Sequence, residues 1–319
     1  MKRMKTVRVL RGLIAAIAGG VIGCLMILLP ELRRAPSPPV IAFIPRTTGI
    51  NLAEDMRRGA QAAAQMAGYR IYWNAPTTED DVDRQIRITE SAVRGGARAV
   101  ILGPSNPRGV TTMLDQLQKH KVPVVIVQTE PPIPPGSYLT SVTPDQWQFG
   151  KLAAQRVMQI TGGSGQVAIV GLDRATPETL TRARSFIDSL ASHPDIEIVT
   201  QAQGSVQTLE AEQSARAVIH AFPALRVIFA VSADATQGAV LALDSVGPKA
   251  KIALVGCDRD LFLADDLRSG KIDSLVGIDA YSTGFEAMRA AVTGAGGRPL
   301  PMPEHVRPIL ITREKAAID

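Results

Sequence analysis

From Val40 onward, short apolar runs alternate with amphipathic stretches of about 12 to 16 residues, a pattern that predicts strands alternating with helices. The predicted strands are nearly continuous in apolar residues and lie at 40–45, 69–73, 99–102, 122–127, 166–171, 196–200, 227–231, 252–256 and 273–277, with a further strand near 138–140. Strands of this composition are typical of parallel sheets that are covered on both faces. We therefore predict an α/β fold with doubly wound parallel sheets.

Two long segments of this pattern repeat one another weakly. Residues 97–127 run through a strand, a short polar loop, a helix and a second strand, and residues 225–256 do the same at similar spacing. Internal similarity of this kind indicates related structural units. The chain is therefore predicted to contain two Rossmann-like lobes.

A basic and then apolar segment precedes these lobes. Residues 12–29 form an uncharged run of 18 residues that follows five basic residues, as in an export signal or membrane anchor. The basic start predicts that the chain after Pro30 leaves the cytoplasm. We assign 1–34 to the signal or anchor and 35–39 to a Pro-rich tether.

The fate of this segment has two alternatives. The sequence Val-Ile-Gly-Cys that ends at Cys24 resembles the lipobox of bacterial lipoproteins, in which the cysteine is lipidated. The apolar run continues beyond Cys24, however, where that pattern has a polar tether. This continuation favours an uncleaved anchor or an ordinary signal over lipidation.

The charge distribution argues against nucleic acid as a partner. The net charge is +5, but residues 1–34 hold seven basic residues and one acidic residue, which leaves 28 basic and 29 acidic residues in the rest of the chain. A body without net positive charge lacks the basic surface that phosphate binding requires. Neither the two cysteines nor the four histidines have metal-ligand spacing, and we expect no metal and no cofactor.

Candidate binding residues follow the predicted strands, because ligands of open parallel sheets bind beyond the carboxyl ends of the strands. The polar groups at these ends are, in the first lobe, Arg46, Thr47, Ser105 and Gln128, and in the second lobe, Asp173, Ser232 and Asp258. No nucleophile elbow, phosphate loop or metal set accompanies them, so an enzyme is not expected.

A resemblance to a known family rests on the order of many short motifs. These are IAFIP, MRRGAQAAAQMAGY, AVILGPSNP, VPVVIV, DQWQFGKLAAQ, RARSF, IFAVSADATQGAVLAL, LVGCD, VGIDAYSTGFEA and ILITREKA. In this order the chain resembles the periplasmic sugar-binding proteins of the ribose-binding type, over residues 40–316. Regulators of the lac-repressor type share that fold, but they carry a DNA-binding helix-turn-helix where this chain has the apolar segment.

The resemblance implies two lobes that are joined by three crossings and close over a small ligand as a hinged clamp. The implied crossings lie near 141–143, 278–280 and 303–306. The implied lobes comprise 38–142 with 279–305, and 143–278 with 306–319.

The resemblance also implies roles for particular residues. Arg182 in RARSF and Asp258 in VGCD match an arginine and an aspartate that bind the sugar in this family. Asp279, which follows the pocket position Ile278, is also expected to bind the ligand. Arg and Asp suit the paired donor and acceptor character of vicinal hydroxyls. We expect both side chains to be partly hydrated in the open cleft, so that replacing either one leaves folding almost unchanged.

The chain departs from the family pattern elsewhere. Gly103 replaces an asparagine, Gln128 an aspartate and Ser232 an asparagine, and the expected pocket aromatics are missing. Trp147 either faces the cleft or packs, and Trp73 is interpreted as a core residue. Arg46 favours an acidic sugar or another anionic solute, unless it is a solvated loop residue.

These expectations combine into one leading function. The chain is predicted to be a monomeric, exported protein, periplasmic or on the outer face of the cytoplasmic membrane, that captures a carbohydrate or polyol for an ABC permease. The alternative is a ligand-binding module that acts on a membrane sensor, namely a sensor kinase or a chemoreceptor. Neighbouring genes would separate these two possibilities, and the sequence of the chain does not.

Overall fold

The computed structural model describes residues 37–47, 51–78, 80–173, 176–203, 207–247, 251–258 and 261–316. The predicted signal or anchor and Cys24 lie outside these residues. Within the described ranges, no helix combines the length and the apolar character that a membrane crossing requires.

The strands and helices follow one another in the alternation that the sequence predicts. The strands are β1 (Val40–Ile44), β2 (Arg70–Trp73), β3 (Val100–Leu102), β4 (Val124–Val127), β5 (Leu139–Pro144), β6 (Gly165–Leu172), β7 (Ile196–Gln203), β8 (Leu225–Ala230), β9 (Ala253–Cys257), β10 (Ser274–Gly277), β11 (Glu304–Val306) and β12 (Ile309–Thr312). The helices are α1 (Asn51–Ala67), α2 (Val82–Arg94), α3 (Thr111–Lys119), α4 (Gln146–Thr161), α5 (Pro177–Leu190), α6 (Thr208–Ala221), α7 (Ala233–Val246), α8 (Leu261–Ser269), α9 (Ala280–Ala295) and α10 (Arg313–Ala316).

The strands form two six-stranded sheets, one in each lobe. The first sheet has the order β11-β5-β4-β3-β1-β2 and the second has the order β12-β10-β9-β8-β6-β7. Neighbouring strands are parallel throughout, except that β12 runs antiparallel to β10. The predicted fold class is confirmed.

Each sheet is covered on both faces, as the apolar strands predict. In β1, Ile41 and Phe43 pack in a core with α1 and α9, whereas Ala42 and Ile44 pack on the other face in a core with α2 and α3. The second sheet likewise separates a core with α4 and α5 from a core with α6, α7 and α8. The carboxyl ends of the parallel strands therefore lie free of these helix layers, at one edge of each sheet.

The chain passes between the sheets at three places. It leaves the first sheet after Pro144, returns to the first lobe between Gly277 and Ala280, and leaves it again after Val306. The first and third passages come slightly later than the implied crossings, because Thr143 and Pro144 still pair with β11. Strand β11 itself was not expected, since its Pro-rich surroundings have no apolar run.

A hydrogen-bond network braces the first sheet beside two of these passages. The hydroxyl of Thr143 lies 3.0 Å from Oε1 of Glu130 and 3.0 Å from Nδ1 of His305. A carboxylate only accepts hydrogen bonds, so this hydroxyl donates to Glu130, and Nδ1 of His305 carries the hydrogen that it donates to Thr143. The network joins β5, β11 and the loop after β4.

The backbones of helices α1 and α9 are in direct contact on the first sheet. A Cβ atom at Gly59 would lie 2.0 Å from the carbonyl oxygen of Tyr281, and one at Gly284 would lie 2.0 Å from the carbonyl oxygen of Met56. No L side chain fits at either position unless the helices separate. The two glycines therefore set the distance between the helices.

We predict that Gly284→Ala lowers the free energy of unfolding by about 2–3 kcal/mol, because the added methyl group forces α1 and α9 apart in a packed core. Urea unfolding measures this change. Gly296→Ala is the matched control, since a Cβ at that end of α9 makes only ordinary contact, at 3.4 Å from the nearest atom. Equal losses in the two variants would contradict the close-contact explanation.

Candidate functional site

Arg182 is a buried charged residue of the second lobe that several neighbouring elements contact. It lies on α5 and is only 5% exposed. Its Nε donates to Oε1 of Gln146 at 2.7 Å, and its Nη1 donates to the carbonyl oxygen of Val231 at 2.9 Å and to Oδ2 of Asp258 at 3.0 Å. Three elements, namely α4 and the ends of β8 and β9, thus hold the guanidinium at the edge of the second sheet.

The surroundings of Arg182 compensate for its burial. Its guanidinium carbon lies 4.1 Å from the ring centroid of Phe149, within the range of a cation–π contact. Burial is the largest single influence on the pKa of Arg182 and lowers it, but the combined attraction of Asp258 and other neighbouring groups outweighs burial, so the pKa is raised. The expectation that Arg182 is partly hydrated is therefore wrong.

The ion pair uses one atom of each group and leaves other atoms open. Nη2 of Arg182 makes no hydrogen bond to a residue in the described ranges, and Oδ1 of Asp258 is a buried acceptor without a donor. The Asp258 side chain as a whole is 30% exposed. The ion pair thus leaves donor hydrogens of its guanidinium and one buried carboxylate oxygen without partners in the described ranges, and two vicinal hydroxyls supply the complementary acceptor and donor.

Ser232 and Asp279 cap helices instead. The Ser232 hydroxyl oxygen accepts the backbone N–H of Ala235 at 3.2 Å and begins α7. Oδ1 of Asp279 accepts the backbone N–H of Ser282 at 2.9 Å, and its Oδ2 accepts the hydroxyl of Ser282 at 2.7 Å. Both residues lie at strand ends as predicted, but the fold already employs their oxygens.

The first-lobe candidates Arg46 and Ser105 are brought together. Nε of Arg46 donates to the carbonyl oxygen of Pro104 at 3.3 Å, and the hydroxyl of Ser105 donates to the carbonyl oxygen of Arg46 at 3.4 Å. The buried hydroxyl of Thr47 donates to the carbonyl oxygen of Thr77 at 3.4 Å. These long bonds tie the loop after β1 to the loops after β2 and β3, and among the described residues no ion pair engages Arg46.

The side chain of Gln85, on α2, connects the loops after β1 and β3. The sequence did not predict this role. The Gln85 side chain is fully buried, and its Nε2 donates to the carbonyl oxygens of Gly103 at 2.8 Å and Pro45 at 3.3 Å. Its Oε1 accepts the backbone N–H of Ser105 at 2.9 Å. The available signal was its helical spacing, which places Gln85 on the apolar face of α2 with Ile88.

Gln128 follows β4 at the same edge of the first sheet. Its backbone φ is 72°, and Oε1 of its side chain is buried without a hydrogen-bond donor. In the described parts of the chain, no hydrogen bond or ion pair connects the first-lobe candidates to Arg182 or Asp258 in the second lobe.

The two tryptophans lie at different depths in the structure. Trp73 packs on Phe43 with ring centroids 4.7 Å apart, which confirms its interpretation as a core residue. Trp147 begins α4 and is 41% exposed. Across the described ranges, no three His, Cys, Asp or Glu residues are grouped so as to hold a metal ion.

The sequence and the fold are similar to those of binding proteins. The model of the periplasmic binding protein domain matches residues 41–299. A D-apiose import binding protein of Actinobacillus succinogenes is 22% identical over 213 residues, which cover 66% of this chain and 67% of that protein. A D-ribose/D-allose-binding protein of Pseudomonas aeruginosa is 21% identical and aligns over 85% of this chain and 86% of its own length.

The fold of AraP, an arabinose-binding protein from Geobacillus stearothermophilus, is also similar. The two structures superpose with a TM-score of 0.79 at 18% sequence identity, over 89% of this chain and 99% of AraP. At this level of identity the likeness establishes the two-lobed fold.

We predict that Arg182→Met lowers the free energy of unfolding by about 3–5 kcal/mol, because Oε1 of Gln146, the carbonyl oxygen of Val231 and the carboxylate of Asp258 all lose the donor that the buried guanidinium supplies. Arg156→Met is the matched control. Arg156 binds Asp273 through two hydrogen bonds, at 2.7 and 2.9 Å, but about a quarter of each side chain is exposed. We expect its loss to cost about 1 kcal/mol in urea unfolding, and equal costs would show that burial is not decisive.

A second prediction concerns Cys257, whose thiol is fully buried. Burial is the main cause that raises its pKa from 9.0 to about 12. Between these pH values the Cys257 thiol loses its proton in the unfolded chain but keeps it in the folded chain, so the free energy of unfolding declines as the pH rises. We expect the free energy of unfolding of the unmodified protein to fall relative to that of Cys257→Ala as the pH rises above 9, and parallel pH profiles would contradict this.

Proposed function

We propose that this chain, which belongs to the family of periplasmic binding proteins, captures a small sugar between its two lobes and delivers it to an ABC transporter. The proposed role is binding and transport, without catalysis. It explains why the polar groups at the strand ends form a donor and acceptor set and not a nucleophile with its base.

The observation that carries this proposal is the buried pair of Arg182 and Asp258. Their mutual bond fixes both groups in position and leaves Nη2 donors and the Oδ1 acceptor uncommitted. A sugar with adjacent hydroxyls satisfies both, since one hydroxyl accepts from the guanidinium while its neighbour donates to the carboxylate. Charged partners make such hydrogen bonds short and strong.

The first lobe supplies the opposing side of the proposed site. Arg46, Ser105 and Gln128 lie at the carboxyl edge of its sheet, as Arg182 and Asp258 do in the second lobe. Bending at the three passages between the sheets would bring these edges together over the sugar. Removal of water on closure strengthens the hydrogen bonds that the sugar makes.

The relatives narrow the expected class of ligand. Their names refer to D-apiose and to D-ribose or D-allose, and AraP is an arabinose-binding protein. These are neutral sugars with five or six carbons. We therefore favour a neutral pentose or hexose, and an acidic sugar that engages Arg46 is the alternative that a binding assay distinguishes.

We further propose that residues 1–34 export the body of the protein and hold it at the outer face of the cytoplasmic membrane. The support is the five basic residues followed by an apolar run of 18 residues. Lipidation at Cys24 is the alternative means of attachment. The tethered protein would act as a monomer that presents its two lobes to the permease.

Mass spectrometry of the small molecule released from natively purified protein tests the proposal, and we expect a neutral sugar. Calorimetry then measures its affinity for wild-type protein and for Asp258→Asn, which keeps the shape of the side chain but removes its charge. We expect an affinity loss of about 10- to 100-fold, because a charge-assisted hydrogen bond is weakened.

Asp273→Asn is the matched control, since Asp273 binds Arg156 in the same lobe but directly precedes β10, at the amino end of that strand and away from the proposed site. We expect this variant to bind the sugar as wild-type protein does. Unchanged affinity in Asp258→Asn would remove Asp258 from the site, and absence of any sugar binding by wild-type protein would refute the function.

A further inference from the structure

Gly103 and Gln128 occupy neighbouring strand ends in the first lobe and compete for the same space. Gly103 follows β3 and Gln128 follows β4, which pairs directly with β3. A Cβ atom at Gly103 would lie 2.6 Å from Oε1 of Gln128 and 3.3 Å from the backbone nitrogen of Arg46. The Gln128 amide can therefore hold its position only because residue 103 has no side chain.

The backbone of Gln128 is in a conformation that its residue type disfavours. Its φ of 72° lies in the left-handed region, where glycine and asparagine are the common residues. Strained backbone of this kind persists when surrounding structure imposes it, and it is frequent at ligand-binding segments. A glutamine in this disfavoured conformation therefore indicates a role for its side chain.

The polar atoms of Gln128 are not used by the fold. Oε1 is buried without a donor, and neither side-chain atom has a hydrogen bond to another described residue. The nearby Gln85 differs, because its amide makes three hydrogen bonds to the loops after β1 and β3. Of these two amides, Gln85 therefore holds the loops together, whereas Oε1 of Gln128 has no partner within the described fold.

We propose that Gly103 and Gln128 form a single specificity element, in which the absent side chain at 103 makes room for the Gln128 amide and this amide hydrogen-bonds an uncharged hydroxyl of the bound sugar. This inference rests on the proposed function. An amide offers one acceptor and two donors without charge, and a hydroxyl can satisfy either kind of atom. A side chain at 103 would push the amide into the space that the sugar occupies.

The two residues should consequently be coupled in binding. In Gly103→Ala the methyl group meets the flexible end of the Gln128 side chain at 2.6 Å and the backbone nitrogen of Arg46 at 3.3 Å. The amide must move but the backbone contact requires only a small adjustment, so we expect the thermal unfolding midpoint to fall by no more than about 4 °C. The sugar affinity should nevertheless fall about tenfold, since the displaced amide loses its hydrogen bond. The sugar affinity of Gln128→Ala should also be about tenfold lower than that of wild-type protein. The affinity of the double variant should be no lower than that of Gln128→Ala.

Gly136→Ala is the matched control. A Cβ at Gly136 would lie 3.6 Å from Oε1 of Gln118, another glutamine amide, but this glycine precedes β5 at the opposite end of the first sheet. We expect its affinity for the sugar to equal that of wild-type protein.

The experiment is calorimetry of the four proteins of the Gly103 and Gln128 cycle with the co-purified sugar and with D-ribose, D-allose and D-arabinose. Losses that multiply in the double variant, or an unchanged affinity in Gly103→Ala, would overturn the coupling while leaving the proposed function intact. Wild-type protein that binds none of these sugars would overturn the proposed function and the specificity role together.

Discussion

The guanidinium of Arg182 is withdrawn from water, and a buried cation is stable only where its surroundings replace the lost hydration. In the second lobe this replacement comes from the side chains of Gln146 and Asp258, the carbonyl oxygen of Val231 and the ring of Phe149. Helix α4 and the ends of β8 and β9 must all reach Arg182 for this to occur. One electrostatic requirement thus positions these three elements around Arg182 and orients the carboxylate of Asp258.

The first lobe organises the corresponding edge with neutral groups. The Gln85 amide ties the loops that carry Arg46 and Ser105, and the Gln128 amide lies over Gly103. Neutral amides are less costly to bury than charges and bind in defined directions, so in the proposed site this edge would discriminate by shape and hydrogen-bond direction. The second edge instead offers a strong charged anchor. A sugar between the two edges would make its strongest hydrogen bonds to the second lobe, and the first lobe would determine which sugar fits.

Each passage between the lobes is short and is bounded by firmly anchored structure. Asp145 caps α4 directly after the first passage, and Asp279 caps α9 at the second. The Thr143 network braces the first sheet, and the contact at Gly284 holds α9 against α1. A rotation of one lobe against the other would therefore be confined to the few residues between these anchors, and the two proposed binding edges would stay rigid during the rotation.

The sequence alone determined the two lobes, the parallel strands and the strand end where Asp258 lies, because apolar periodicity is local and parallel strands place their carboxyl ends at one edge. It did not reveal Gln85, whose helical position looked like any other buried-face residue. The sequence also predicted that Asp279 binds the ligand, whereas in the fold its carboxylate caps α9. It further predicted that Arg182 is partly hydrated, whereas the fold buries this side chain. Only the tertiary structure decided these roles, because they depend on which helix ends and loops from distant parts of the chain meet around each polar group.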